Sequence, residues 1–237
     1  CILRWFFASN SGTSMPTQSA ADGTLIHSLA ERFPCGPRSA VMDALEEEIR
    51  AMGVDEGQAA SKIHMDHLRE MASALGEYLE QSSQMGNCAD PSGNVQVEVP
   101  FDVPISSVHI RGRIDRMELE GQGVRIIDFK TGKKGNKTGA KKDPDHPQLA
   151  LYQLAVEQLG YEVLGAELKY LGYGDVRTIS QDPLDPETRA DWISQLDEIG
   201  QKMKGPSFIA TPSDEACQYC EFARSCPARE QGKRSVE

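Results

Sequence analysis

Asp128 and Lys130 stand two residues apart in VRIIDFKTGKK, residues 124–134, a stretch that otherwise opens as an apolar strand. Burying either charge without a partner is costly, so a strand that carries both needs a reason. Period-two alternation puts the two side chains on one face. A second acid comes from the segment just before. If the turn in ELEGQGVRI is centred on Gly121–Gln122, glycine at the first central position suits a two-residue II′ hairpin. Glu120 then faces Gly123 and Asp115 faces Asp128. Opposed residues have Cβ atoms about 4.5–5.5 Å apart, so the two carboxylates repel unless a cation lies between them. Hard carboxylate oxygens suit Mg²⁺ or Mn²⁺. Such an ion readies a water for attack and stabilises charge on a phosphoryl group, while a lysine positions or deprotonates that water. An Asp-x-Lys pair alone is also what an exposed salt-bridged ladder presents, and a loop one residue longer would undo the register.

The cysteines are the second chemical signal. Three of the six, Cys217, Cys220 and Cys226, cluster in CQYCEFARSCP, whereas Cys1, Cys35 and Cys88 stand alone. CILRWFFASN is too short and too quickly polar for a secretory signal. Disulfides are therefore not the default, and a close cluster reads as metal binding.

The elements that must position these residues follow from periodicity and punctuation. ADGTLIHSLAERF has helical spacing, with Asp22 as its expected N-cap. Further helices are expected near 39–52 and 57–83, then a loop at 84–94. Strands are expected at 95–101, 106–119 and 124–130. HPQLALYQLAVEQLG reads as a helix, with Pro147 near its start and Gly160 as its stop. EVLGAELKYLG and DVRTIS read as two more strands, and 187–204 as a helix. Helices, a strand meander, a helix and strands again make an α/β arrangement around one central sheet. At 237 residues and 39% hydrophobic, the chain can bury a core as one domain. Its expected parts are a helical 1–83 holding His27, a catalytic sheet with its helix at 95–180, and a C-terminal helix and cysteine cluster at 187–226. Because the chain opens on Cys1 rather than Met, it is expected to be a piece of a longer one.

Charge narrows the function classes. The formal net charge of −11 has the wrong sign for a protein that simply coats nucleic acid. Locally the sign reverses, since residues 130–142 hold six lysines and no acid. No run of eighteen apolar residues exists, so no membrane span is expected.

GRIDR, IIDFKTGK and HPQLALYQLAV, in that order, resemble the nuclease core of the PD-(D/E)XK superfamily, specifically its RecB-like branch. The resemblance implies a restriction-endonuclease-like core, a mixed central sheet flanked by helices. It implies Asp115, Asp128 and Lys130 as catalytic residues, with metal held by His27, Asp115, Asp128 and the Phe129 carbonyl. His27 enters through GTLIH, which supplies a G-x-x-x-H pattern from Gly23. Gln148 and Tyr152 match a Q-x-x-x-Y helix that lies along the substrate. Lys133 and Lys134 would neutralise phosphates, and Glu98 in VQVEVPF can serve as an accessory ligand. Ile114 replaces the proline of the superfamily name, as in many RecB-like members.

The cysteine pattern resembles the iron–sulfur staple of AddB-type nucleases, in which the first ligand lies in a context like CILRWF. That resemblance implies a [4Fe–4S] cluster on Cys1, Cys217, Cys220 and Cys226, tying the chain ends together, with Cys35 as a substitute ligand and Cys88 free. Four cysteines equally make structural zinc sites, so Zn²⁺ is the alternative. The activity implied is hydrolysis of phosphodiesters in single-stranded DNA by an exonuclease. It would be fed by a helicase in the same parent chain or complex, as in cytoplasmic AddB- or AdnB-type helicase-nucleases that resect double-strand breaks. The alternatives are a stand-alone RecB-like nuclease of CRISPR adaptation and a catalytically silent iron–sulfur DNA-binding scaffold.

Overall fold

The structure, a computed structural model, describes all residues except 11–16, 86–94, 133–139, 173, 219 and 234–237. Lys133, Lys134 and Cys88 therefore lie outside the described residues. The chain divides into two compact units, one of residues 17–105 and 109–192, the other of 1–16, 106–108 and 193–237.

The larger unit begins with three helices, α2 (Gln18–Arg32), α3 (Arg38–Met52) and α4 (Ala59–Gln84), which follow α1 (Ile2–Asn10) of the smaller unit. Helix α2 starts seven residues before the apolar pattern does. Its N-cap is Thr17, whose hydroxyl accepts from Ala20 N at 3.3 Å. Asp22 lies inside the helix and bonds His64 Nε2 on α4 at 2.8 Å instead. The expected cap was misplaced because residues 18–21 are all exposed and carry no apolar periodicity.

Strands β1 (Val95–Ile105), β2 (Val108–Glu120), β3 (Gly123–Lys130), β4 (Ala140–Lys142), β5 (Glu162–Tyr170) and β6 (Arg177–Gln181) form one sheet in the order β1-β2-β3-β5-β6-β4. It is mixed: β2–β3 and β5–β6 are antiparallel, β3–β5 and β4–β6 parallel. Helix α5 (Pro147–Gln158) is the crossover into the parallel strand β5, as a parallel pairing requires.

Alternation sorts β3 cleanly. Ile127 and Phe129 join the core of α2, α3 and α4, with Leu29, Leu45, Leu68 and Leu75 at its centre. Asp128, between them, meets side chains of α5. The β2–β3 register pairs Glu120 with Gly123 and Arg116 with Ile127, as the hairpin reading requires. Gly121 has φ +65°, the sign that the first central position of a II′ turn demands.

The smaller unit contains α1, the later part of α6 (Pro186–Lys204), and the short helices α7 (Asp214–Gln218) and α8 (Glu230–Lys233). Rings hold it together: Phe6 stacks on Phe208 at 4.2 Å between centroids, and Phe7 meets Phe222 at 5.4 Å. Among the described residues no helix is long and apolar enough to cross a membrane.

Candidate metal centre

Asp128 is the pivot of the site. It is 2% exposed on β3, and Gln148 Nε2 and Tyr152 Oη of α5 both reach its Oδ1, at 2.7 and 3.1 Å. Gln148 and Tyr152 are one helical turn apart and therefore share a face. The second amide proton of Gln148 goes to Tyr152 Oη at 2.9 Å. The Tyr152 ring is set edge-on to Phe101 of β1, whose own ring lies over Gly112 so closely that a Cβ there would meet it at 2.7 Å. The other carboxylate oxygen, Oδ2, is different. Lys130 Nζ lies 2.5 Å from it as a charge partner, yet outside hydrogen-bonding geometry, and this buried oxygen receives no hydrogen bond.

Asp115 completes the acidic pair. The ladder between β2 and β3 runs as far as Arg116–Ile127. Just beyond it, the Phe129 amide donates to Asp115 Oδ2 at 2.7 Å. Asp115 Oδ1 lies 3.4 Å from His27 Nδ1 on α2. Gly23, one turn earlier, explains how α2 comes this close: a Cβ there would press on Thr131 Oγ1 at 3.3 Å.

Glu98 joins them from β1. One ligand atom each of His27, Glu98 and Asp115 lies within 4.8 Å of the others, and among the described residues no other trio of histidine, cysteine and acidic side chains does so. Glu98 holds φ +50°, a left-handed conformation that costs a side-chain-bearing residue about 1–2 kcal/mol. Its Oε2 also pairs with Arg113 Nη1 at 3.2 Å. These groups border an open groove of about 510 Å³ with Ser19, Thr24, Ser28 and Thr131 along its walls. Arg113 is the member that the motifs did not single out. It shares a strand face with Asp115 two residues on, so period-two alternation was the available signal.

The electrostatics follow from burial and like charge. Desolvation raises the pKa of Asp128, the Asp115 charge raises it further, and Lys130 offsets only part. The hydrogen bond with Asp115 raises His27, against burial, with the charges of Asp115, Asp128 and Glu98 adding to the rise. Burial also raises the Tyr152 phenol, keeping it a neutral donor. Two acids close enough for one to raise the pKa of the other are what a hard divalent cation satisfies. The carboxylates of Glu98 and Asp115 with the His27 imidazole are a donor set that fits Mg²⁺ or Mn²⁺.

A profile of the PD-(D/E)XK nuclease superfamily matches residues 1–227. The chain belongs to the PD-(D/E)XK nuclease superfamily. Nucleases of this superfamily are metal-dependent and use Mg²⁺ or Mn²⁺, and the mixed sheet flanked by helices is their architecture. The chain is also similar to the Gene 69 protein of Mycobacterium phage L5, with 26% identity over 136 residues, 55% of this chain and 44% of the phage protein. The Gene 69 protein of Mycobacterium phage D29 is 24% identical over 142 residues, 58% of this chain and 49% of that protein. The PD-(D/E)XK chain thus spans about half the length of these phage relatives. Among solved structures, the crystal structure of SSO0001 is similar over 90% of this chain and 99% of that one, at 16% identity and a TM-score of 0.40, too low to bear on function.

The cysteines gather in the smaller unit. Cys1, Cys217, Cys220 and Cys226 are all free thiols and line one cavity of about 30 Å³ with Phe7, Pro212 and Phe222. Cys35 belongs to the larger unit and is disulfide-bonded, so it is not available as a substitute ligand.

Proposed function

We propose that this PD-(D/E)XK nuclease hydrolyses phosphodiester bonds of single-stranded DNA as a RecB-like exonuclease. The observation that carries this reading is the convergence of the buried Asp128, its ion partner Lys130 and the neighbouring Asp115 with His27 and Glu98. Asp115, Asp128, His27 and the Phe129 carbonyl would hold Mg²⁺ or Mn²⁺. When bound, the ion supplies a Lewis acid toward the phosphoryl oxygen and acidifies a ligated water. Lys130, about one-third exposed and already against Asp128, orients that water and stabilises the charge that develops as its proton leaves. Gln148 and Tyr152 hold Asp128 and orient the scissile strand. Lys133 and Lys134 neutralise phosphates of the approaching strand, which makes binding salt-dependent.

The reading extends to the cysteines and the cellular setting. Four free thiols around one cavity support a [4Fe–4S] cluster on Cys1, Cys217, Cys220 and Cys226, with Zn²⁺ as the alternative occupant. In this reading the cluster is structural. The protein works in the cytoplasm as one nuclease module with a helicase domain, resecting double-strand breaks.

The test is cleavage of end-labelled single-stranded DNA with Mg²⁺ or Mn²⁺, run beside Asp128→Ala. Metal-dependent cutting that vanishes in the variant supports the nuclease and its site. Folded, cluster-loaded protein that never cuts would instead make this a DNA-binding scaffold.

A further inference from the structure

Arg113 has no part in the chemistry described so far, yet it is built into the site. It lies on β2 two residues before Asp115, and its backbone carbonyl is 3.3 Å from Tyr152 Oη. Its side chain is 63% exposed and lines the groove beside Asp115. Its guanidinium is nevertheless held at one end, by Glu98 Oε2 at 3.2 Å. That carboxylate is simultaneously one of the trio with His27 and Asp115. Glu98 therefore has two suitors, a guanidinium and any cation that the trio binds. A divalent cation attracts a carboxylate more strongly than a monovalent guanidinium does, the more so here because the Arg113 end of the pair is open to solvent. The groove walls beside Arg113 also carry Ser19 and Thr131, hydroxyls of the kind that contact nucleic-acid backbones, whereas Thr24 and Ser28 donate to the Ala20 and Leu25 carbonyls of α2. A guanidinium at the edge of such a groove, once released, presents a planar fork that matches a phosphate.

We propose that Glu98 and Arg113 form a cation-gated phosphate clamp: cation capture by Glu98 frees Arg113 to grip a backbone phosphate of the DNA strand in this groove. The inference rests on the nuclease reading of the same site, and it assigns Arg113 as a substrate-binding residue. The consequence is ordered recognition. Without the cation, Glu98 occupies the fork; with it, the protein binds DNA more tightly at the place where it can cut.

The experiment measures binding, not cleavage, in a Lys130→Ala background. Fluorescein-labelled oligodeoxythymidylate is titrated at several salt concentrations, with Ca²⁺ or with a chelator. Ca²⁺ is expected to tighten binding roughly tenfold, the scale of one charge-assisted contact. Arg113→Ala is expected to remove that gain and lower the salt slope by about 0.7, one phosphate contact on a single strand. Arg113→Lys, which keeps charge but not the fork, should recover part of it. Glu98→Gln should bind as tightly in chelator as the parent does in Ca²⁺. Ca²⁺ uptake, followed separately by calorimetry without DNA, should survive Arg113→Ala. An Arg113→Ala protein with unchanged affinity and salt slope would overturn the clamp while leaving the nuclease reading intact. A parent protein that binds neither cation nor DNA would overturn both.

Discussion

Two carboxylates on neighbouring strands are buried almost equally, Glu118 of β2 at 3% exposure and Asp128 of β3 at 2%. Their circumstances are opposite. Glu118 Oε1 accepts from Arg116 Nε at 2.7 Å and from Tyr78 Oη and Ser82 Oγ at 2.8 Å. Arg116, fully buried, also reaches the Pro34 carbonyl and Ser82 Oγ. Burial alone would raise the Glu118 pKa, but the Arg116 charge and these donors outweigh it and hold the group below the usual carboxylate range. At Asp128, burial and a neighbouring acid win over Lys130, and the pKa rises. One buried charge is matched within the fold and joins α4 to the sheet. The other is left under-matched, at a cost to the stability of the charged form.

The sharpest way to break this contrast is at the lysine. Lys130→Ala is expected to lower cleavage by roughly 10²–10⁴-fold while cation and DNA binding stay close to native. Asp128→Ala should lose cation binding as well, as read by calorimetry with Mn²⁺. Cleavage at the native rate by Lys130→Ala would show that the Asp128 side is not catalytic.

Arg116→Ala tests the matched side. Stranding Glu118 without its cation should cost about 3–5 kcal/mol, measured by denaturant unfolding, whereas Lys130→Ala should cost less, because Asp128 with its raised pKa takes up a proton more readily. Equal losses would erase the distinction.

The third comparison uses pH. His27 must be neutral to ligate metal, and its pKa is raised. Mn²⁺ affinity should therefore fall about tenfold per unit as the pH drops below that raised value. His27→Ala should weaken binding and remove this part of the dependence. An unchanged pH profile in the variant would take His27 out of the ligand set.

The smallest effect is a gain. A raised folded-state pKa means that stability present below the unfolded value is lost as pH rises through the folded value. Asp128→Asn should thus raise the Tm of the metal-free protein by roughly 2–4 °C above neutrality, with the gain shrinking in acid. Added Mn²⁺ should reverse the ranking by stabilising only the parent. A variant less stable than the parent at every pH would mean that Asp128 is as well matched as Glu118.

The mixed sheet flanked by helices was legible in the chain, and so were the hairpin register and the shared face of α5. Glycine at position 121 and alternation in β2 and β3 dictate a register, and that register is found. Gln148 and Tyr152 share a face because a helix has 3.6 residues per turn, and both meet Asp128. Glu98 was visible only as one acid among many, since its place depends on β1 pairing beside β2 and on a left-handed backbone that nothing local signals. The Arg116–Glu118 network has partners 34 to 82 residues away, beyond any periodic pattern. Helix α1 lies in the part expected to be helical but was not delimited within it, and β4 was not anticipated. The latter is a three-residue edge strand within the lysine run, paired with β6 through its backbone, so hydrophobic alternation could not mark it.

The hydrogen bond from the Phe129 amide to Asp115 has a spectroscopic consequence. That proton sits at the end of the β2–β3 ladder and points at a carboxylate rather than at a strand carbonyl. Its chemical shift and its exchange with solvent should respond to how much negative charge Asp115 shares with it. A single backbone resonance thus becomes a titration reporter for the arrival of a cation, readable in the intact protein with no label on the DNA and no turnover.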